Sequence, residues 1–328
     1  MKTEILKMLR EAQGYVSGQE LCERFGVSRT AVWKVINGLK EEGYQILSTP
    51  RRGYRLEESP DILSMSELKS RMRTKWLGQH VVYFTETDST NTQAKRLAEE
   101  GAPAGTLVAA DMQTAGKGRR GRSWQQSPGM MVSMTFILKP EFAPDKASML
   151  TLLAAHSVAG AIEHVSGLPA RIKWPNDIVI NGRKTVGILT EMSLSVEQDS
   201  IHYVVVGIGI NVNITAFPEE IREVATSLYL ESGRKVSRAC LIAEVMKRFE
   251  EDYTLFLETE DLSGILDDYN THLISRDREV RVLDPKGEFT GICRGMNKNG
   301  ELLVEREDGS ISNIYAGEVS VRGLYGYV

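Results

Sequence analysis

The densest group of reactive side chains in the chain is the run Gly116-Lys117-Gly118-Arg119-Arg120-Gly121-Arg122, in which cations alternate with glycines. Glycine lets the backbone fold closely around an anion, and guanidinium groups grip phosphate or carboxylate through paired N–H bonds. The run spells G-x-G-x-x-G and follows a strand-like segment, residues 106–113. A dinucleotide fingerprint, however, must open a helix whose N-terminus meets the pyrophosphate. Here the continuation Ser123-Trp124-Gln125-Gln126-Ser127-Pro128-Gly129 cannot start a long helix. No G-x-x-x-x-G-K-[ST] occurs, so a Walker loop is excluded as well. Composition alone leaves two readings, a loop that wraps a phosphate or a basic loop in solvent.

The elements that must position this loop divide the 328 residues into three parts. Residues 1–56 carry ten Lys and Arg against six Glu, a local charge of +4, whereas the rest of the chain is acidic and the total is -4. Only the first segment therefore invites a polyanion. There Ile5, Met8, Leu9 and Ala12 keep helical spacing, Ser17 to Glu20 form a capping-box pattern, and a second helix spans 19–25. Gly26 and Val27 turn, Ser28 caps a third helix, and Val32, Val35, Ile36 and Leu39 make its apolar stripe. The opposite face presents Arg29, Thr30, Trp33, Lys34 and Asn37, types that bond to base edges and phosphates in a major groove. Residues 44–47 and 54–56 read as a hairpin with Arg51 and Arg52 at its tip, placed for phosphate contact. The alternative is a three-helix protein-interaction module whose basic residues are only solvated. This segment resembles the winged helix-turn-helix family of bacterial regulators, which implies a dimer on a two-fold operator, with Ser28, Arg29, Thr30, Trp33, Lys34, Asn37, Arg51 and Arg52 toward DNA.

Glu57-Glu58-Ser59-Pro60-Asp61 marks a boundary near residue 60, and 66–72 reads as a short connecting helix. Strand-like runs at 81–86, 106–113, 130–138, 171–174, 178–180, 185–193 and 202–210 then alternate with helical ones at 90–100 and 146–166. Asn181-Gly182 between two apolar strands predicts a hairpin that sets Lys184 just past its turn. Helices at 237–257 and 261–271 precede five short strands, at 278–284, 288–295, 301–306, 310–315 and 318–322, which read as a small β-barrel. The domains are thus 1–60, 61–273 and 274–328, a multidomain α+β chain. Cys22, Cys240 and Cys293 have no metal-ligand spacing and read as reduced thiols. With no signal peptide and no apolar run long enough to span a bilayer, a cytoplasmic protein without a membrane partner is expected.

Further motifs surround the loop. Thr87-Asp88-Ser89-Thr90-Asn91 and Gln113-Thr114-Ala115 lie upstream. Lys173-Trp174-Pro175-Asn176-Asp177, the segment from Gly182 through Lys184 and Gly187 to Leu189, and Gly207-Ile208-Gly209-Ile210-Asn211-Val212-Asn213 lie downstream. In this order they resemble the biotin protein ligases, and with the N-terminal reader the whole chain resembles their bifunctional members, the biotin operon repressors. Lys117 departs from the arginine many relatives carry, which keeps the charge but loses the planar fork.

The resemblance implies a class II synthetase-like catalytic domain and an SH3-like C-terminal module. It implies that biotin and ATP give biotinyl-5'-AMP and pyrophosphate, with Mg²⁺ carried mainly by ATP and no protein metal site, and that biotin then passes to a lysine of the biotin carboxyl carrier protein. A carboxylate attacking an α-phosphate is already a nucleophile, so no Ser-His-Asp arrangement is required. Charge neutralisation is required, and Lys184, Arg119 and Arg122 are the candidates for it. Ser89, Thr90, Asn91, Gln113, Lys117, Gly118, Arg119 and Lys184 match the biotin positions. Gly116, Arg119, Arg122, Trp124, Lys184, Asn211 and Arg322 are assigned to the adenylate or ATP. Ser89 also reads as a simple N-cap, Trp124 as core, and Asp177 either as the group that orients or deprotonates the incoming lysine or as a turn residue. The family further implies that biotinyl-5'-AMP, as corepressor, favours a homodimer on operator DNA. A ligand sensor with a degenerate enzyme domain would have lost Lys184 or the arginines. A lipoate-attaching enzyme would lack the N-terminal reader, and a nucleic-acid ligase would carry a Lys-x-Asp-Gly-type motif.

Overall fold

The computed structural model describes residues 1–121, 123–124, 127–195, 200–283, 287–315 and 320–323, with the backbone alone at 120, 320, 322 and 323. The chain forms two compact units, Met1–Met72 and Arg73–Val328. No helix among the described residues is long and apolar enough to cross a membrane.

The first unit contains α1 (Lys2–Glu11), α2 (Gly18–Phe25), α3 (Arg29–Glu41), β1 (Gln45–Thr49), β2 (Gly53–Glu58) and α4 (Met65–Arg71). The hydroxyl of Ser17 accepts from the Glu20 amide and that of Ser28 from the Ala31 amide, so both predicted caps form. Ile5, Leu6, Leu9, Leu21, Val32, Ile36, Leu39, Tyr44 and Ile46 make the core. In α1 the deep positions are Ile5, Leu6 and Leu9, while Met8 and Ala12 are only part-buried. The stripe is rotated toward Leu6 because α1 is covered by α4 as well as by the other helices. The hairpin acquires a short third strand, since Val16 and Tyr54 exchange two backbone bonds of 2.8 Å. Gly53 sits at this crossing with φ 107°, where a Cβ would lie 2.0 Å from the Val16 carbonyl oxygen.

Residues after 60 do not leave this unit at once. Glu67 of α4 is fully buried and accepts from the Tyr44 hydroxyl at 2.5 Å, from Arg71 Nε at 2.6 Å and from Arg10. A buried carboxylate without such partners would cost several kcal/mol, so this network fixes α4 in place. The division in contacts accordingly falls after Met72, beyond the break at residue 60 that Pro60 suggests.

The second unit runs β3 (Val81–Thr87), α5 (Thr90–Glu99), β4 (Leu107–Gln113), β5 (Met131–Leu138), α6 (Met149–Ser166), β6 (Arg171–Lys173), β7 (Asp177–Ile180), β8 (Arg183–Ser195) and β9 (Ser200–Asn211). It continues with α7 (Leu228–Ser232), α8 (Arg238–Thr259), α9 (Leu266–His272), β10 (Glu279–Leu283), β11 (Phe289–Met296), β12 (Leu302–Glu305), β13 (Ile311–Ile314) and β14 (Ser320–Gly323). One seven-stranded sheet has the order β3-β4-β5-β9-β8-β7-β6, and within it only β3 and β4 pair in parallel. Asn181 (φ 49°) and Gly182 (φ 77°) both take left-handed conformations, as a two-residue hairpin requires, and the β7–β8 turn forms where the sequence predicts it. The Trp174–Pro175 peptide is cis.

Two expectations change. The helix predicted at 261–271 begins only at Leu266, because Asp261 turns the chain by accepting from the Ser263 amide and Leu262 donates to Lys298. The C-terminal strands form an antiparallel sheet of order β13-β12-β11-β10-β14, and among the described residues it stays open, not a closed barrel. β12, β13 and β14 span four residues each, and the two edges, β13 and β14, do not pair among the described residues. The three cysteines are free.

A half-buried histidine joins three helices of this unit. His156 on α6 bonds through Nδ1 to Asp252 of α8 and through Nε2 to Asp268 of α9, each at 2.8 Å. Burial alone would lower its pKa, but the hydrogen bonds and charges of the two aspartates outweigh it and raise the value above the ordinary imidazole one. A raised folded pKa gives stability that is complete below the unfolded value of about 6.5 and is lost as pH climbs through the folded value. The melting-temperature gap between the unaltered protein and His156→Gln should therefore narrow steadily from pH 6 to 8.5; a gap independent of pH would show that the charge is irrelevant.

Candidate active site and nucleic-acid face

The sheet of the second unit carries a small cleft, partly open to solvent, lined by residues from the start of α5, β4, the loop after β4, Asn176, β8 and β9. Its floor is built around three glycines. Gly187 of β8 lies opposite Gly209 of β9, and Leu189 opposite Gly207, so these four positions share one face. The indole of Trp124 lies on the glycine pair, where a Cβ would come within 3.0 Å of it at Gly187 and 2.7 Å at Gly209. At Gly207 a Cβ would be 1.9 Å from Asn91 Oδ1.

The uncharged polar groups enter from the first turn of α5. Ser89, Thr90 and Asn91 are buried and line the cleft with Gln113. Gln113 Oε1 accepts from the Thr90 amide at 2.7 Å and stands 3.0 Å from the Thr90 hydroxyl oxygen. Asn91 donates to Glu191 at 2.8 Å and to the Leu189 carbonyl at 3.2 Å. Burial would raise the Glu191 carboxyl, but hydrogen bonds from Lys95 and Asn91 and the charges of Lys95 and Lys117 hold it below the usual range. Ser89 occupies the N-cap position, yet its side chain makes no capping bond. Asp88 instead accepts from the Gln93 side chain at 3.0 Å and the Ser89 amide at 2.6 Å, and these bonds lower its pKa. Of the two readings of Ser89, capping alone does not describe it.

The cations come from the glycine-rich loop and β8. The loop closes on itself through the Trp124 amide, which donates to the Gly116 carbonyl at 2.9 Å, and through a bridge between Lys117 and Ser123. Among the described residues it carries one 3-10 turn, Arg119–Gly121, and the next element is β5, whereas a dinucleotide fingerprint or a Walker loop would open a helix. Lys117, Gly118 and Arg119 line the cleft, and Arg119 donates to Asn176 Oδ1 at 2.8 Å. Sequence alone gives Asn176 no role of its own; the fold makes it the seat of this guanidinium. Lys184 Nζ donates to Asp177 Oδ1 at 2.6 Å and stands 5.6 Å from the Trp124 ring centroid. The Lys184 backbone is held on its other side, donating to Val224 and accepting from Thr226.

Other predicted residues are placed elsewhere. Gly116 and Asp177 are not among the lining residues, although each anchors one that is. Asn211 ends β9 with its amide given to the Thr226 carbonyl, so it braces the segment that holds Lys184. Arg322 pairs with Arg281 through the backbone of β14, and Arg122 lies outside the described residues. Among the described residues no three His, Cys, Asp or Glu could hold a metal ion. The floor, Gly187, Gly207 and Gly209, is absent from the residues that the sequence marks as binding. The alternation Gly207-Ile208-Gly209 in an apolar strand was the available signal, because glycine there weakens a strand unless something must approach it.

In the first unit, Arg29, Thr30, Trp33 and Lys34 are exposed on α3 and Asn37 is half-exposed. Trp33 is 55% exposed, an unusual position for an indole. Ser28 is occupied by its capping bond and Arg29 donates to Gln19 at 3.1 Å. At the hairpin tip Arg51 takes φ 63°, and the Arg52 guanidinium stacks 4.3 Å from the Tyr15 ring centroid.

Comparison with known proteins finds matches in both units. A model of the biotin/lipoate A/B protein ligase family matches residues 82–211, an HTH domain model matches 2–55, and a biotin protein ligase C-terminal domain model matches 277–322. The bifunctional ligase/repressor BirA of Bacillus subtilis is 40% identical over 324 residues, 98% of each chain. BirA of Escherichia coli is 30% identical, covering 93% of this chain and 92% of its own. The biotin protein ligase of Aquifex aeolicus, solved with biotin and ATP, superposes with a TM-score of 0.65 at 34% identity over 75% of this chain and 99% of that one. A cleft of this construction in one unit, a helix-turn-helix in the other, and likeness over nearly the whole length lead to one conclusion: the chain belongs to the family of bifunctional biotin ligase/repressors.

Proposed function

We propose that the chain activates biotin with ATP to biotinyl-5'-AMP, transfers biotin to a lysine of a biotin carboxyl carrier protein, and represses transcription as an adenylate-bound homodimer. One observation carries the enzymatic part: Ser89, Thr90, Asn91, Gln113, Lys117, Gly118, Arg119 and Lys184, far apart in sequence, line a single cleft. The neutral donors and acceptors at the start of α5 suit a ureido ring in an otherwise apolar pocket. The cations suit a carboxylate brought against an α-phosphate, where two anions meet and the transition state gains charge. Lys184, held by Asp177, and Arg119, held by Asn176, are already oriented before substrate arrives. The buried Nε1 of Trp124 has no partner among the described residues and is available to an acceptor of the nucleotide. Arg122, Asn211 and Arg322 are kept as nucleotide contacts on the resemblance alone. In the second step Asp177, bound to Lys184, orients or deprotonates the incoming lysine. The cleft's amides and cations are not a Mg²⁺ donor set; the ion is assigned to ATP's phosphates. The antiparallel-rich sheet beneath the cleft supports the class II synthetase-like assignment. The five short strands support the SH3-like one, although the described strands leave that sheet open.

Biotin-dependent exchange of pyrophosphate into ATP tests the reading directly. Exchange supported by lipoate and not by biotin would make the substrate wrong. Lys184→Gln is expected to slow exchange about a hundred- to a thousand-fold, with the melting temperature nearly unchanged.

The repressor part rests on α3 and the hairpin tip. Neutralising one phosphate contact lowers the slope of log affinity against log salt by about one. Arg52→Ala should do this across operator and unrelated DNA alike, whereas Trp33→Ala should weaken operator binding selectively; equal salt slopes before and after Arg52→Ala would remove the hairpin tip from the interface. Sedimentation with biotin and ATP together, but with neither alone, should report a dimer, since a ligand shifts self-association only by binding the dimer-competent state better.

A further inference from the structure

Beneath the cleft four oxygens stand in a row: Gln113 Oε1, Thr90 Oγ1, Thr135 Oγ1 and Asn91 Oδ1, with successive separations of 3.0, 2.8 and 2.7 Å. Thr135 belongs to β5, beside Gly207, is fully buried and does not line the cleft. Both terminal oxygens are carbonyls, and the assignment of each amide is forced. If Gln113 were turned over, its NH₂ would meet the Thr90 N–H that now donates to Oε1 at 2.7 Å. If Asn91 were turned over, its oxygen would face the Glu191 carboxylate at 2.8 Å and the Leu189 carbonyl at 3.2 Å. The row therefore has three contacts and only the two hydroxyl protons to fill them.

Two arrangements of the protons serve both carbonyl oxygens, and they differ in whether the Thr90 hydroxyl donates to Gln113 or to Thr135. Among the described residues Asn91 Oδ1 has only Thr135 to supply a proton, because Gly207 covers it closely. Thr135 must donate there, and its lone pair is then open to the Thr90 hydroxyl proton; if Thr90 donated to Gln113 instead, two lone pairs would face each other across the shorter 2.8 Å contact, at Thr135, which the cleft does not reach. The missing proton falls at the longest contact, between Thr90 Oγ1 and Gln113 Oε1, where Gln113 is still served by the Thr90 amide. Thr90 and Gln113 both line the cleft. The result is a pair of acceptor oxygens that lacks one donor.

We infer that Thr135 is a positioning residue that turns the Thr90 hydroxyl proton inward, so that Thr90 and Gln113 together present an acceptor pair selecting a ligand with an N–H donor. This rests on the reading of the cleft as a biotin site, where the donor is a ureido N–H. An unfilled acceptor pair in a buried site disfavours ligands that bring only acceptors, because two lone-pair surfaces then face each other without a proton.

Thr135→Val keeps the shape and removes the hydroxyl, while Thr135→Ser restores it. Calorimetric titration with biotin should give a dissociation constant about ten-fold weaker for the valine variant and within two-fold of the unaltered protein for the serine variant. In pyrophosphate exchange the valine change should raise the KM for biotin and leave the KM for ATP and kcat in place, which a general loosening of the sheet would not do. If valine lowers the melting temperature so far that titration fails, Thr135→Ala measured at a lower temperature carries the same expectation. Unchanged biotin affinity in a folded valine or alanine variant, a serine variant as weak as valine, or parallel losses for biotin and ATP would overturn the assignment. Absence of biotin binding by the unaltered protein would overturn the functional reading itself, and this inference with it.

Discussion

Side chains from distant segments can lie directly on a β-sheet only where the sheet's own positions carry none, and the second unit is organised around that requirement. Gly187, Gly207 and Gly209 carry no side chains on one face of β8 and β9, and the Trp124 indole and the Asn91 amide fill the space this leaves and wall the cleft. Each glycine inside a strand weakens that strand by roughly 0.5 to 1 kcal/mol relative to alanine. The sheet tolerates this because β8 and β9 are its longest strands, thirteen and twelve residues, and lie well inside it, flanked by β5 and β7. Adding a methyl group at Gly207 would strike Asn91 and through it the row of oxygens that ends at Gln113.

The charges of the cleft are arranged by exchangeable partners. Arg119 rests on a neutral amide oxygen, which a phosphate can replace at little cost, whereas Lys184 rests on the carboxylate of Asp177, a stronger charge-assisted bond. Both partners belong to the short segment after the cis Trp174–Pro175 bond, so a single turn orients the two cations. Glu191 acts on the neutral side of the cleft. Ionised and held by Lys95 and Asn91, it fixes which way the Asn91 amide faces. Preorganised groups of this kind stabilise developing charge without having to reorient as it forms.

The first unit solves its own constraint, a small core, with polar anchors. Glu67 buried among Arg10, Arg71 and Tyr44 fastens α4 to the helices, and the Val16–Tyr54 pairing fastens the hairpin. Those anchors leave α3 free to expose Trp33 and its basic neighbours, where the local excess of positive charge lies.

Local chemistry makes much of this readable from the chain alone. Capping hydroxyls at Ser17 and Ser28, the Asn181-Gly182 turn, and alternating or helical apolar spacing each depend on a few neighbouring residues, so the helices, most strands and the hairpin that carries Lys184 are visible in the sequence. The order of motifs names the family and its expected site residues. What lies beyond the sequence are effects of register and burial between distant segments. Neither Leu6 turning inward beneath α4, nor Asn176 receiving Arg119, nor Gly187 meeting Gly209 is encoded within a window of neighbours. The open C-terminal sheet likewise depends on which strand edges meet. Thr135 is the sharpest case: in sequence it is one polar residue in an apolar strand, and its role exists only because folding sets its hydroxyl between Thr90 and Asn91, where two protons must serve three contacts.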